Sequence, residues 1–162
     1  MGRRPDRLPS TPAVRLLSDE GVEFGVHHYD YVDRGGTQAS SAALGVDEHA
    51  VIKTLIFEDD SRNPFVVLMH GDREVSAKQL ARVLRVRGTK PCEPAVAEKH
   101  SGYRVGGTSP FGTRKALPVY AEASIFELPK VYINGGSRGL LVSIDPKVLR
   151  ELAKARPVRV AR

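Results

Sequence analysis

Two stretches of the sequence have residue types that could do chemistry. One is a lysine inside an apolar run, "VIKTLIF"; the other is a glycine-rich segment, "VGGTSPFGTRK", from Val105 to Lys115. Gly107 and Gly112 have the spacing of the two glycines in the phosphate-binding motif G-x-x-x-x-G-K-[ST]. Thr113 and Arg114 stand where that motif needs its Lys and its Ser or Thr, so the groups that reach the outer phosphates and hold Mg²⁺ are missing. What is left is a tight loop that exposes backbone N–H groups, because glycine permits close approach and Pro110 fixes its own φ. Such donors suit an anion, or the oxyanion that develops when a carbonyl is attacked; a plain turn is the alternative.

Period-two alternation in "VIKTLIF" puts Val51, Lys53, Leu55 and Phe57 on one face and Ile52, Thr54 and Ile56 on the other. Lys53 therefore sits among apolar residues whichever face is buried. A buried ammonium is costly unless paired, so this lysine either snorkels to an edge or is held over a pocket. Over a pocket it could orient a carbonyl, bind a phosphate or stabilise negative charge.

Other reactive groups are poorly arranged. Ser109 lacks the G-x-S-x-G setting of a nucleophile elbow, because Phe111 takes the last position. Cys92, between Pro91 and Glu93, reads as an incidental small side chain. His27 and His28 point to opposite faces of a strand, and His49, His70 and His100 show no ligand spacing. With one cysteine and no H-E-x-x-H, neither a metal nor another cofactor is expected. Any hydrolysis would have to use water and a bond that is already activated.

The elements that position these residues follow from start, stop and periodicity signals. Thr11 and Pro12 open a first helix that ends before Gly21, and "VEFGVHHYDY" reads as a strand. "TQASSAALG" offers Thr37 as N-cap and Gly45 as stop. "AVIKTLIFE" and "PFVVLMHG", joined by "DDSRN", form a hairpin. From Ser76 the spacing is helical, and "PAVAEKHSG" is a further helix stopped by Gly102. "LPVYAE", "SIFELP", "KVYING" and "LLVSI" are extended pieces, followed by a helix capped by Asp145 with Pro146 at its first position. This order predicts a single α/β domain with a mixed, strongly curved sheet flanked by helices.

The chain has 162 residues with 41% apolar content, enough for one core. Lys and Arg number 25 against 19 acidic residues, and the charge of +6 favours polyanionic partners such as nucleic acid. A single cysteine, apolar runs too short to span a bilayer and an N-terminus without an apolar signal region set a cytoplasmic expectation with no membrane partner. "MGRRPDRLPSTP", residues 1–12, reads as a flexible basic arm, and residues 157–162 as a basic tail, leaving 13–156 as the folded domain.

"VIKTLIF", "GYRVGGTSPFG" from Gly102 to Gly112 and "VYINGGSRGLLVSI" from Val131 to Ile144 occur in one order in one chain. Together they resemble the YbaK family of aminoacyl-tRNA deacylases, free-standing relatives of the editing domain of bacterial prolyl-tRNA synthetases. The resemblance implies a compact fold with a curved, barrel-like mixed sheet, and hydrolysis of the ester that joins a wrong small amino acid to the 3′ end of tRNA, Cys-tRNA(Pro) among the candidates. It implies that Lys53 faces the aminoacyl-adenosine end and that Gly106, with Gly107 beside it, donates backbone N–H to the substrate carbonyl. Tyr29 is implied as a pocket wall, and Thr108, Ser109, Pro110, Asn134, Gly135, Gly136, Arg138 and Leu141 as substrate-lining residues. Family members that act on cysteine often carry Ser at the position of Asn134 and an acid at that of Leu141, which points this chain toward other small aminoacyl groups. The partners implied are a tRNA acceptor end and a prolyl-tRNA synthetase. Arg73, Lys78, Arg82, Arg85 and Arg87 could extend the path for the acceptor stem. Two other readings stay open: a non-catalytic aminoacyl-tRNA or synthetase-binding module, and a binder of a small metabolite or nucleotide.

Overall fold

The computed structural model describes residues 8–162. Helix α1 (Pro12–Asp19) starts as its sequence dictates: Thr11 Oγ1 accepts the Val14 N–H at 3.0 Å, and Pro12 occupies the first turn, where its missing donor costs nothing. Strand β1 (Gly25–His28) and helix α2 (Gly36–Leu44) follow, then β2 (Val51–Asp59), β3 (Pro64–His70), α3 (Ala77–Leu84), β4 (Thr89–Pro91) and α4 (Pro94–Ser101). The chain ends with β5 (Val119–Glu122), β6 (Val131–Asn134), β7 (Leu140–Ile144), α5 (Lys147–Glu151) and β8 (Arg156–Val158).

The eight strands make one mixed sheet in the order β1-β7-β6-β2-β3-β5-β8, with β4 pairing to the far end of β2. β2 pairs antiparallel with β3 as the expected hairpin, and parallel with β6. Period two divides the hairpin between two cores. Ile52, Ile56, Val66 and Leu68 pack with α1, α4 and α5 residues such as Leu17, Ala97 and Leu149. Phe57, Phe65, Val67 and Met69 pack with Leu80 of α3 and with Val158 and Val160. Both faces of the central strands are therefore covered, which is why they read as unbroken apolar runs. The single mixed α/β domain is as expected. Among the described residues the two ends of the sheet, β1 and β8, do not pair with each other.

Four local expectations change. The strand foreseen over "VEFGVHHYDY" is confined to Gly25–His28. Thr37 lies inside the first turn of α2 rather than at its cap, because its hydroxyl is drawn to Glu48 Oε2 (2.7 Å) and the Gly71 carbonyl (3.2 Å). "SIFELP" is a 3₁₀ turn over Ala123–Glu127 that buries Ile125. Asp145 Oδ1 accepts the Lys147 N–H at 3.0 Å, but the helix starts one residue later than foreseen, with Pro146 at the cap.

The C-terminal segment is a larger correction. Residues 157–162 are not a free basic tail: β8 pairs parallel with β5, and Val158 and Val160 alternate into the second core. The carboxylate of Glu122 accepts the N–H groups of Val160 (2.7 Å) and Ala161 (3.0 Å), and Arg162 exchanges two backbone hydrogen bonds with Glu74. Charge hid the pattern, because the arginines occupy the solvent-facing positions between the valines. At the other end, residues 1–7 of the expected arm lie outside the described residues, while Thr11 and Pro12 belong to α1, so the folded part begins earlier than residue 13. Among the described residues no helix is long and apolar enough to cross a membrane.

Candidate active site

Strand register collects several of the sequence-nominated residues on one sheet face. Lys53 pairs with Met69 of β3. The parallel register of β2 with β6 runs Val51 to Tyr132 and Ile52 to Ile133, so one residue further it sets Lys53 beside Asn134. Asn134 pairs with Leu141, and Leu141 with His27. Met69, Lys53, Asn134, Leu141 and His27 thus form a row across five strands, with neighbours about 4.8 Å apart. Leu141 is buried and forms an apolar floor between Asn134 and His27, while Met69, also buried, ends the row beside Lys53 and packs into the second core. The Lys53 side chain is 21% exposed, and its ammonium turns toward Glu74 Oε1 at 3.7 Å. Glu74 is 72% exposed, so the pair fixes direction more than it adds stability.

The glycine loop is tied to the middle of this row, at Asn134. Tyr103, buried at its base, donates its hydroxyl to the Phe111 carbonyl at 2.6 Å, and Ser109 Oγ accepts the Phe111 N–H at 3.1 Å. Asn134 Nδ2 donates to the Gly106 carbonyl at 3.0 Å, while its Oδ1 accepts from the N–H groups of Gly136 and Ser137. One amide therefore ties both glycine loops together. Arg138 Nε donates to the Val105 carbonyl at 2.9 Å, and its guanidinium lies 5.0 Å from the centre of the Tyr31 ring. Gly106 has φ +91°, and a Cβ there would come within 2.6 Å of the Tyr31 hydroxyl. At Gly107 a Cβ would meet the Arg138 backbone nitrogen at 2.9 Å. Both glycines are required, the first by conformation and contact, the second by contact alone.

The two differ in what their donors do. The Gly107 N–H is consumed in a turn to the Arg104 carbonyl at 2.8 Å, which removes it from the pair of donors expected at this bend. Among the described residues the Gly106 N–H has no protein acceptor. The same is true of the N–H groups of Arg104, Thr108, Ser109 and Gly112, but Gly106 is the one of these whose carbonyl an Asn134 amide anchors.

Other nominated residues separate in the same way. Ser109 and Pro110 are buried, and Ser109 serves the loop's own turn rather than a ligand surface. Thr108 is half-buried and donates only a long 3.5 Å contact to the Arg104 carbonyl. The Gly135 N–H goes to Leu140 O and that of Gly136 to Asn134 Oδ1, so both are spent on the hairpin. Thr11 Oγ1 also donates to the Gly135 carbonyl at 2.5 Å, pinning α1 to this turn. Tyr29 is half-buried beside it, with its N–H on Gly139 O, and burial raises its phenol pKa.

Sequence reading missed Tyr31, Glu74 and His27 as neighbours of the site. His27 hydrogen-bonds Ser143 Oγ at 2.9 Å and meets Tyr132 edge-on at 5.3 Å. Burial, then the nearby Lys130 charge, lower its pKa. Alternation along β1 would have put it on one face; which face needs the register.

Away from this row, the fold assembles a cluster that residue spacing did not reveal. His49, His70 and Asp72 bring their ligand atoms within 4.8 Å of one another. The two rings stack at 3.7 Å, and His49 Nδ1 bonds Asp72 Oδ1 at 2.8 Å. His70 is buried, with Nδ1 on the His49 carbonyl and Nε2 on Ser124 Oγ, both at 2.7 Å, and burial lowers its pKa. With three of the four ring nitrogens engaged, the stacked pair forms a hydrogen-bond network joining β3 to the 3₁₀ turn at Ser124. Cys92 is likewise inert: burial, then a hydrogen bond to Glu58, push its thiol up to about 12.

The molecule is a mixed-sheet α/β domain whose glycine bend leaves the Gly106 N–H without a protein acceptor among the described residues. Residues 35–152 match the family of aminoacyl-tRNA editing domains, and the chain belongs to that family. It is 23% identical, over 88% of its length and 87% of the relative, to an Enterococcus faecalis protein named "Putative Cys-tRNA(Pro)/Cys-tRNA(Cys) deacylase EbsC". Over 82 residues it is 37% identical to the proline–tRNA ligase of Ligilactobacillus salivarius, of which it spans 14%. A solved structure titled "Crystal structure of a putative trans-editing enzyme for prolyl tRNA synthetase" shares the fold, with a TM-score of 0.83 and 21% identity over 96% of this chain and 99% of that one.

Proposed function

We propose that the protein is a trans-editing deacylase that hydrolyses the ester between a small, wrongly attached amino acid and the 3′ end of tRNA. The observation that carries this reading is the free Gly106 N–H on a bend anchored by Asn134, in register with Lys53. Hydrolysis adds water across an acyl–oxygen bond: the water oxygen bonds the carbonyl carbon, and the ribose oxygen leaves as a hydroxyl. An aminoacyl ester is already reactive, so one donor placed at the developing oxyanion, worth about 3 kcal/mol, makes a protein nucleophile dispensable. The Lys53 ammonium supplies positive charge on the same face. Arg138 and the half-buried Thr108 border this bend and are assigned as substrate contacts, with Tyr29 as a further pocket wall.

The floor favours a small, uncharged side chain. Leu141 puts methyl groups where a carboxylate would be needed to receive a substrate amine or thiol, so alanine, serine and proline fit the site at least as well as cysteine. The similarity to segments of proline–tRNA ligases supports tRNA(Pro) as the nucleic acid and that synthetase as the partner. A non-catalytic binding module is the second reading, favoured by the loss of the Gly107 donor to its own turn.

Deacylation of tRNAs charged with Cys, Ala, Ser and Pro tests the proposal. At least one ester is hydrolysed, and Lys53→Ala lowers the rate tenfold or more with the fold retained. Saturable binding without turnover on the whole panel would replace the enzyme by the binding module.

A further inference from the structure

Beside the glycine loop lies an open cavity of about 350 Å³ at the C-terminal end of α4, lined by Glu98, Lys99, Gly102, Tyr103, Arg104 and Arg114. It contributes three cations and one acid. Glu98 is already engaged, because its Oε2 accepts the Val105 N–H at 2.9 Å. The cations are not: among the described residues, none of the three side chains forms an ion pair or donates a hydrogen bond.

Cations near a helix C-terminus commonly serve its open carbonyls. Here the backbone does that work. Gly102 N–H goes to Glu98 O, Arg114 N–H to Ser101 O at 2.9 Å and Lys115 N–H to His100 O. Lys99, Arg104 and Arg114 are therefore surplus to the helix, and all three are exposed around a rigid floor formed by the buried Tyr103. Arg82 of α3 and Arg73 before that helix differ in this respect, since Arg82 donates to Gln79 Oε1 and Arg73 to the Arg162 carbonyl.

The geometry points to this cavity as a binding site for a backbone phosphate of the nucleic-acid strand whose 3′ end is presented to Gly106. The inference rests on the proposed function for the identity of that strand. Arg104 precedes Gly106 by two residues, so their Cα atoms are at most about 7.6 Å apart, which suits the last few nucleotides rather than the distant stem. Two arginine forks and an ammonium around one concavity match phosphate oxygens, and the contact is independent of base identity.

The test compares the wild type with Arg104→Ala/Arg114→Ala; both side chains are exposed and neither belongs to the loop's hydrogen bonds, so the Tm is expected to hold. Equilibrium binding of uncharged tRNA is measured across a salt series. The variant is expected to bind at least tenfold more weakly at low salt and to show a shallower slope of log affinity against log salt, by about 1 or more. In turnover, KM for aminoacyl-tRNA rises with kcat kept, while 3′-aminoacyl-adenosine, which has no phosphate, is hydrolysed equally by both proteins. An unchanged tRNA affinity and slope would overturn the assignment. So would inorganic phosphate raising the Tm of the wild type alone while the tRNA slopes coincide, which would mark a free-anion site. Absence of turnover on every ester overturns the deacylase reading instead, and the binding slopes still judge the cavity.

Discussion

The glycine loop at residues 102–112 and the C-terminal segment at 156–162 treat their backbone N–H groups in opposite ways. In the C-terminal segment the donors of Val160, Ala161 and Arg162 all find acceptors, and the alternating valines are buried. In the loop, Tyr103, Ser109 and Asn134 fix the chain on every side of Gly106 and yet leave its N–H without a protein partner. An exposed donor costs little while water can reach it, so the loop can hold one in reserve at a fixed place. Where successive donors are satisfied, as at Val160, Ala161 and Arg162, the segment serves stability, and where donors are left free inside a rigid frame, as at Gly106, they are available to a ligand.

The sharpest way to break this contrast is at Gly106. Gly106→Ala forces a Cβ onto a backbone with φ +91° and against the Tyr31 hydroxyl, so the donor moves. Deacylation should fall by about 10²–10³-fold with the global fold intact, as for loss of an oxyanion donor. An alanine variant at full activity would place the chemistry elsewhere. On the other side of the comparison, Val160→Ala should cost about 2 kcal/mol of stability, read as a drop of several degrees in Tm, and leave kcat unaltered at a permissive temperature. Asn134→Ala separates holding from donating: the Gly106 carbonyl loses its anchor, and activity should fall about tenfold with little change in Tm. The smallest effect is expected at Thr54, whose buried hydroxyl has no hydrogen-bond partner. Thr54→Val should stabilise the protein by about 1 kcal/mol in thermal or urea denaturation without touching turnover.

How far the sequence carried depends on whether the signal is local. Caps and stops are local, and Thr11, Ser76 and Gly102 act as their types require. The β2–β3 hairpin is equally legible, because alternation and a polar turn specify it. "RPVRVAR" failed as a strand because three arginines mask two buried valines, and burial there depends on β5 and α3, which are distant in sequence. Within the site, the glycines and Lys53 announce themselves by type. Tyr31 and Glu74 do not, since an ordinary loop tyrosine and an exposed glutamate gain meaning only from what folds against them. The fate of the Gly107 donor was equally hidden, for only coordinates show which of two adjacent amides closes a turn. The His49–His70–Asp72 network escaped for the same reason, its members being joined by strand pairing and not by spacing.

The most direct test is a crystal structure of the protein with a non-hydrolysable, amide-linked 3′-aminoacyl-adenosine. The account predicts the ligand carbonyl oxygen about 2.7–3.1 Å from the Gly106 nitrogen, with the Gly107 N–H still on Arg104. A ligand carbonyl bound away from that bend, with the Gly106 N–H left to solvent, would contradict it.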